Sequence, residues 1–134
     1  MQRTRVLVAE DNDIIRGGIR ELLARAPEFE LVGEAQDGRE AVELTSTLQP
    51  DIVLLDLRMP DVDGASAARQ ITSNRPASKI VVVTADDSAH AERLARSVGA
   101  VALVTKDECV TALIPTLREV VAGKTPLAEP ASTE

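Results

Sequence analysis

The chain has 134 residues, of which 44% are hydrophobic and 28% charged; this is ordinary usage for one globular domain and leaves no room for a second. Phe29 is the only aromatic residue, so the core must be aliphatic, and there are no rings on which single-stranded bases could stack. The net charge of -7 repels phosphate backbones, and direct nucleic-acid binding would need a local basic patch against that field.

Apolar periodicity alternates between short β-rich runs and longer helical patterns. The first strand is Arg5-Val-Leu-Val-Ala9, which runs into the acidic cluster Glu10-Asp11-Asn12-Asp13. Asp13 is the expected cap of a helix with Ile15, Ile19, Leu22 and Leu23 on one face, ended by Pro27. A weaker strand, Leu31 to Ala35, precedes Asp37-Gly38 and a helix carrying Ala41, Leu44 and Leu48. The run Asp51-Ile-Val-Leu-Leu-Asp56 is apolar at four successive positions, as suits a central strand of a parallel sheet buried on both faces. The loop Met59 to Gly64 leads to a helix through Ala68 and Ile71, then Pro76. Lys79 to Thr84 is the fourth strand, followed by Asp86-Asp87-Ser88 and a helix ending at Gly99. The fifth strand, Val101 to Thr105, ends at Lys106-Asp107, and a last helix reaches about Ala122. Pro115 lacks an N–H and would clash with the preceding turn, so a late start or a kink is expected there. The residues beyond Gly123 read as a tail or linker.

Five strand–helix units imply an open parallel α/β sheet with helices on both faces, in which ligands bind outside the carboxyl ends of the strands. Those ends carry Glu10 and Asp11, Asp56, Thr84 and Lys106. Three carboxylates within about 5 Å repel by roughly 3 kcal/mol per pair at an effective dielectric near 20, so a positive charge must sit among them. Oxygen-only ligands on a shallow rim favour Mg²⁺, and Lys106 adds a fixed charge. With the Thr84 hydroxyl, the rim could hold a phosphoryl group, and Asp56 is the plausible carboxylate nucleophile, forming an aspartyl phosphate.

The sequence resembles the receiver domains of two-component response regulators in Val8-Ala-Glu10-Asp11, Asp51 to Asp56-Leu-Arg-Met59-Pro60 with Asp63-Gly64, Val83-Thr84-Ala85, and Val104-Thr-Lys106. Within that family it is most similar to the NarL/LuxR-type subgroup, through Ile15-Arg-Gly-Gly-Ile-Arg-Glu-Leu-Leu23, Val32-Gly-Glu-Ala35, Lys106-Asp107 and Val121-Ala-Gly123. The resemblance implies a flavodoxin/CheY-like fold with strand order 2-1-3-4-5, a receiver domain over residues 1–123 and a linker or C-terminal tail over 124–134. It implies that a sensor histidine kinase phosphorylates Asp56. Asp11, Asp56 and the backbone carbonyl of Arg58 would bind Mg²⁺, Glu10 would act through a coordinated water, and Thr84 and Lys106 would contact the phosphoryl oxygens. Arg58 and Asp86 match positions that influence how long the phosphate survives. Homodimerisation is compatible with the resemblance, and transcriptional output would pass through a helix-turn-helix domain outside this chain. The only chemistry expected is self-phosphorylation and autodephosphorylation, with no turnover of external substrates.

Leu103 stands where the family usually has an aromatic switch residue, and Pro115 interrupts the helix that such domains use for partner contact. The expectation is that phosphorylation occurs with a readout that is smaller or differently routed. The alternative is a receiver-like interaction module that works without phosphate. An aspartate-nucleophile phosphatase is disfavoured because Asp56-Leu-Arg58 lacks a second aspartate two residues on, and no phosphate-binding glycine loop supports nucleotide binding. Cys109 reads as a buried hydrophobe and His90, the only histidine, as a surface residue. After Arg3 and Arg5 the apolar run is only Val6 to Ala9, too short for a signal peptide or membrane span, and a cytoplasmic location is expected.

Overall fold

A computed structural model describes residues 2–58, 64–75, 77–85 and 89–127. The expectations for Met59 to Asp63, Pro76 and Asp86 to Ser88 lie outside these residues. The strands are β1 (Thr4–Ala9), β2 (Phe29–Ala35), β3 (Ile52–Leu55), β4 (Lys79–Thr84) and β5 (Ala102–Thr105). The helices are α1 (Asp13–Ala24), α2 (Gly38–Leu48), α3 (Gly64–Asn74), α4 (Ala89–Ser97) and α5 (Cys109–Val121), with one 3-10 turn over Lys106–Glu108. All strand pairs are parallel, in the order β2-β1-β3-β4-β5, as the alternation of strand and helix patterns predicts.

Alternation along each strand divides the core in two. Val6, Val8, Ile52, Leu54, Val81 and Val83 point to α1 and α5, where they meet Ile19, Leu23, Leu113 and Leu117. Leu7, Ala9, Val53, Leu55, Ile80 and Val82 point to the other face, against Ala41, Ala68, Ile71 and Ala95. β3 is buried along its whole length, the consequence of covering both faces.

Three local expectations are corrected. Asn12, not Asp13, caps α1: its backbone is extended and its side chain accepts from the amides of Ile14 and Ile15, while Asp13 is the first helical residue. β2 begins two residues early, at Phe29, because Phe29 pairs with Thr4 and its ring is buried. α5 does not start late: it begins at Cys109 and remains helical through Pro115. Pro115 is exposed, as is Thr111, whose carbonyl would have accepted the missing N–H bond and can face water instead. On the opposite side Cys109, Leu113, Leu117 and Val120 form the buried stripe that holds the helix in place.

Gly123, at φ +92°, ends α5 with a Schellman turn: Lys124 N–H donates to the Glu119 carbonyl at 3.0 Å and Gly123 N–H to Val120 at 3.0 Å. The chain then returns to the edge of the sheet, where Leu127 N–H donates to the Val101 carbonyl at 2.9 Å. The Leu127 side chain is buried in the α4-side core, and its carbonyl accepts from Arg96 Nε of α4 at 2.7 Å. No helix among the described residues is long and apolar enough to cross a membrane.

Candidate functional site

The carboxyl ends of β1, β3, β4 and β5 bring Glu10, Asp11, Asp56, Thr84 and Lys106 to one rim. Glu10, Asp11 and Asp56 each present a carboxylate oxygen within 4.8 Å of the others, with Glu10 and Asp56 buried and Asp11 exposed. Lys106 Nζ lies 3.0 Å from Glu10 Oε1 and 3.1 Å from Asp56 Oδ2. The other oxygen of each buried carboxylate is held by a backbone amide: Asn12 donates to Glu10 Oε2 at 3.0 Å and Arg58 to Asp56 Oδ1 at 2.9 Å.

The opposing charges leave a specific electrostatic signature. Burial pushes the Glu10 carboxyl above the usual carboxylate range; the Asn12 amide and Lys106 oppose the shift, and the Asp56 charge reinforces it. Burial works to lower the Lys106 ammonium, but Glu10 and Asp56 together outweigh it and leave the group raised, hence firmly protonated. Lys106 meets Glu10 Oε1 as an ion pair, and no hydrogen bond completes the coordination of that buried oxygen. A buried, unsatisfied carboxylate oxygen beside two further carboxylates is suited to a hard cation or its coordinated water, and the trio therefore fits Mg²⁺.

Thr84 is buried at the end of β4 and lines a cavity of about 80 Å³ with Leu57, Arg58, His90 and Leu94. Leu103 is half-buried on the α4 side of the sheet. Gly64, the first residue of α3, is required where it lies against the backbone that follows β3, since a Cβ there would lie 2.2 Å from Leu57 Cα and 2.5 Å from the Asp56 carbonyl oxygen. Cys109 is a free, buried thiol that burial raises further, consistent with a packing role. His90 is exposed.

Two features escaped the sequence reading. Arg16, buried on α1, donates to the Glu10 backbone carbonyl at 2.8 Å and to Glu34 Oε1 at 3.2 Å, and also pairs with Asp13. A groove of about 310 Å³ along α1 and the start of α5, lined by Ile15, Leu22, Cys109 and Val110, meets the rim only at Lys106. Arg16 falls in a segment that matches the NarL/LuxR-type pattern, but beyond the Asp13 pair on its own helix its partners lie after β1 and on β2 and leave no local signature.

Residues 6–118 match the family model for the response regulator receiver domain. The chain is 45% identical over 113 residues to the transcriptional regulatory protein PdtaR of Mycobacterium tuberculosis, covering 84% of this chain and 54% of that protein. It is 35% identical over 121 residues to the response regulator GacA of Pseudomonas aeruginosa, covering 90% of this chain and 56% of that one. It thus spans about half the length of these curated relatives. Among solved structures, the signal receiver domain of the response regulator NarL from Mycobacterium tuberculosis superposes with a TM-score of 0.87 at 31% identity, over 92% of this chain and 100% of that one. A LuxR-family two-component response regulator from Aurantimonas sp. gives 0.86 at 31% identity, over 95% and 93%.

Proposed function

Because this chain belongs to the response regulator receiver family, whose members work with histidine kinases and output domains, we propose that Asp56 is its phosphoacceptor and that Glu10, Asp11, Thr84 and Lys106 serve that transfer. The supporting observation is the setting of Asp56: a buried carboxylate with one oxygen held by the Arg58 amide and the other facing Lys106, beside two further carboxylates.

An Asp56 oxygen attacks phosphorus, and the P–N bond to a kinase imidazole, or the P–O bond of a small acyl phosphate, breaks with its electron pair leaving on the donor. The Arg58 amide fixes the carboxylate, and Lys106 supplies a preorganised positive charge to the phosphoryl oxygens. Thr84 offers a hydroxyl from the neighbouring strand. Asp11, Asp56 and the Arg58 carbonyl would hold Mg²⁺, with Glu10 acting through water; the ion neutralises charge on the transferred group. In the longer protein of which receivers are commonly part, the phosphorylated face would bias an output module, with transcription as the expected readout.

The test is incubation with Mg²⁺ and acetyl phosphate followed by intact mass, beside Asp56→Asn. One added phosphoryl group on the wild type and none on the variant supports the reading. No uptake by either, together with no Mg²⁺ binding, points to the phosphate-independent module instead. Leu103 bears on the readout: beryllofluoride should shift amide signals around Asp56 and Thr84, whereas large shifts throughout α4 and β5 would show that the switch does not need a ring at position 103.

A further inference from the structure

We propose that Arg16 is a positioning residue for the Mg²⁺ site, a role that rests on the reading of the acidic trio given above. The peptide linking Glu10 and Asp11 lies beyond the end of β1, where its carbonyl has left the strand ladder. Arg16 Nη1 donates to that carbonyl at 2.8 Å, and the hydrogen bond is buried. The same guanidinium reaches Asp13 at the start of α1 and, through Nε, Glu34 on β2 at 3.2 Å. Glu34 is itself fixed by a two-point pair with Arg20, at 2.9 Å from both Nε and Nη2. One planar fork thus ties the peptide between two predicted ligands to α1 and to the neighbouring strand.

The Asn12 amide holds the Glu10 carboxylate, while Arg16 holds the Glu10 backbone. Together they fix a turn that would otherwise be pushed outward by the repulsion of Glu10, Asp11 and Asp56. Lysine carries the same charge but not the planar fork, so it cannot serve acceptors spread over three elements. Partners behind the direct ligands of a metal commonly set its affinity by orienting those ligands.

The full chain lacks Trp and Tyr, so Mg²⁺ binding is best read from backbone amide shifts in an NMR titration with MgCl2. Arg16→Lys should weaken Mg²⁺ binding about tenfold, and the rate of phosphorylation by acetyl phosphate should recover towards wild type when Mg²⁺ is raised to saturation. Glu34→Gln keeps Arg16 and should weaken binding in the same direction by less, which keeps the test available if Arg16→Lys folds poorly. Arg5→Ala, at the opposite end of the sheet, controls for lost stability and should leave Mg²⁺ affinity unchanged. Wild-type affinity in both Arg16→Lys and Glu34→Gln, whatever their stability, overturns the proposal. A wild type that shows no Mg²⁺-dependent shifts overturns the underlying reading of the acidic trio, a different result from wild-type binding retained in the variants.

Discussion

The two ends of the sheet use charge in opposite ways. At the amino ends of the strands, cations serve the backbone: Arg3 donates to the carbonyls of Pro27 and Phe29 at 2.9 and 2.6 Å, and Arg5 to those of Leu48 and Gln49 at 2.6 and 3.1 Å. Asp51 accepts from the Arg5 amide at 2.8 Å, and Ser78 donates to the Pro50 carbonyl at 2.6 Å. At the carboxyl ends, three carboxylates crowd round one ammonium, and Glu10 Oε1 has no hydrogen-bond donor. One end uses its charges to hold backbone groups of neighbouring segments, while the other crowds three carboxylates near one another. The first arrangement serves stability; the second is useful only if something binds there.

The sharpest way to break this contrast is Lys106→Ala, which should slow phosphorylation by acetyl phosphate about 100-fold, the usual cost of losing one preorganised group that stabilises developing charge; intact-mass time courses measure it. Gly64→Ala is the case where the two ends cannot be separated. Its Cβ would press on the backbone of Asp56 and Leu57, so denaturant unfolding should show a loss of about 3 kcal/mol with Mg²⁺ binding impaired as well. Arg5→Ala should cost only about 1 kcal/mol, the net value of a typical internal hydrogen bond, and leave phosphorylation at the wild-type rate.

Acidity separates the ends by sign. Folding raises the Glu10 pKa, so its favourable contribution is complete below the unfolded value near 4.5 and is lost as pH rises through the higher folded value. Without Mg²⁺, Glu10→Gln should therefore raise the thermal midpoint at neutral pH. Glu28, at the amino end of β2, is lowered by its hydrogen bond from Arg118 at 2.7 Å; its contribution is complete above the unfolded value and lost as pH falls through the lower folded one. Glu28→Gln should give the smallest change of the set, a slightly flatter acid limb in midpoint against pH, because the pair is exposed to solvent.

The parts of the molecule that could be read in advance are those with a short signature. Ile52 to Leu55 declares a strand buried on both faces, and Glu10, Asp11, Asp56, Thr84 and Lys106 stand where apolar runs stop. A parallel sheet turns those separate stops into one rim. Arg16 could not be assigned a role this way, because Glu34 is 18 residues distant and its other key acceptor is a main-chain carbonyl, which no sequence pattern marks. Asn12 and Asp13 are both good capping residues, and only the backbone turn chooses between them. Pro115 misled because the cost of an interior proline depends on whether the orphaned carbonyl faces water or protein.

Leu127 anchors the segment after α5 to the rest of the domain. With its amide on β5's neighbour Val101, its carbonyl on Arg96 and its side chain in the core, it ties the segment after α5 to α4 and to the sheet edge. A fusion or truncation made at Gly123 would remove the Leu127 side chain from the α4-side core and the carbonyl that accepts from Arg96 Nε, whereas one made after Leu127 keeps both. In engineering terms, the segment after α5 is anchored at α4 and at the sheet edge, not only at the end of α5.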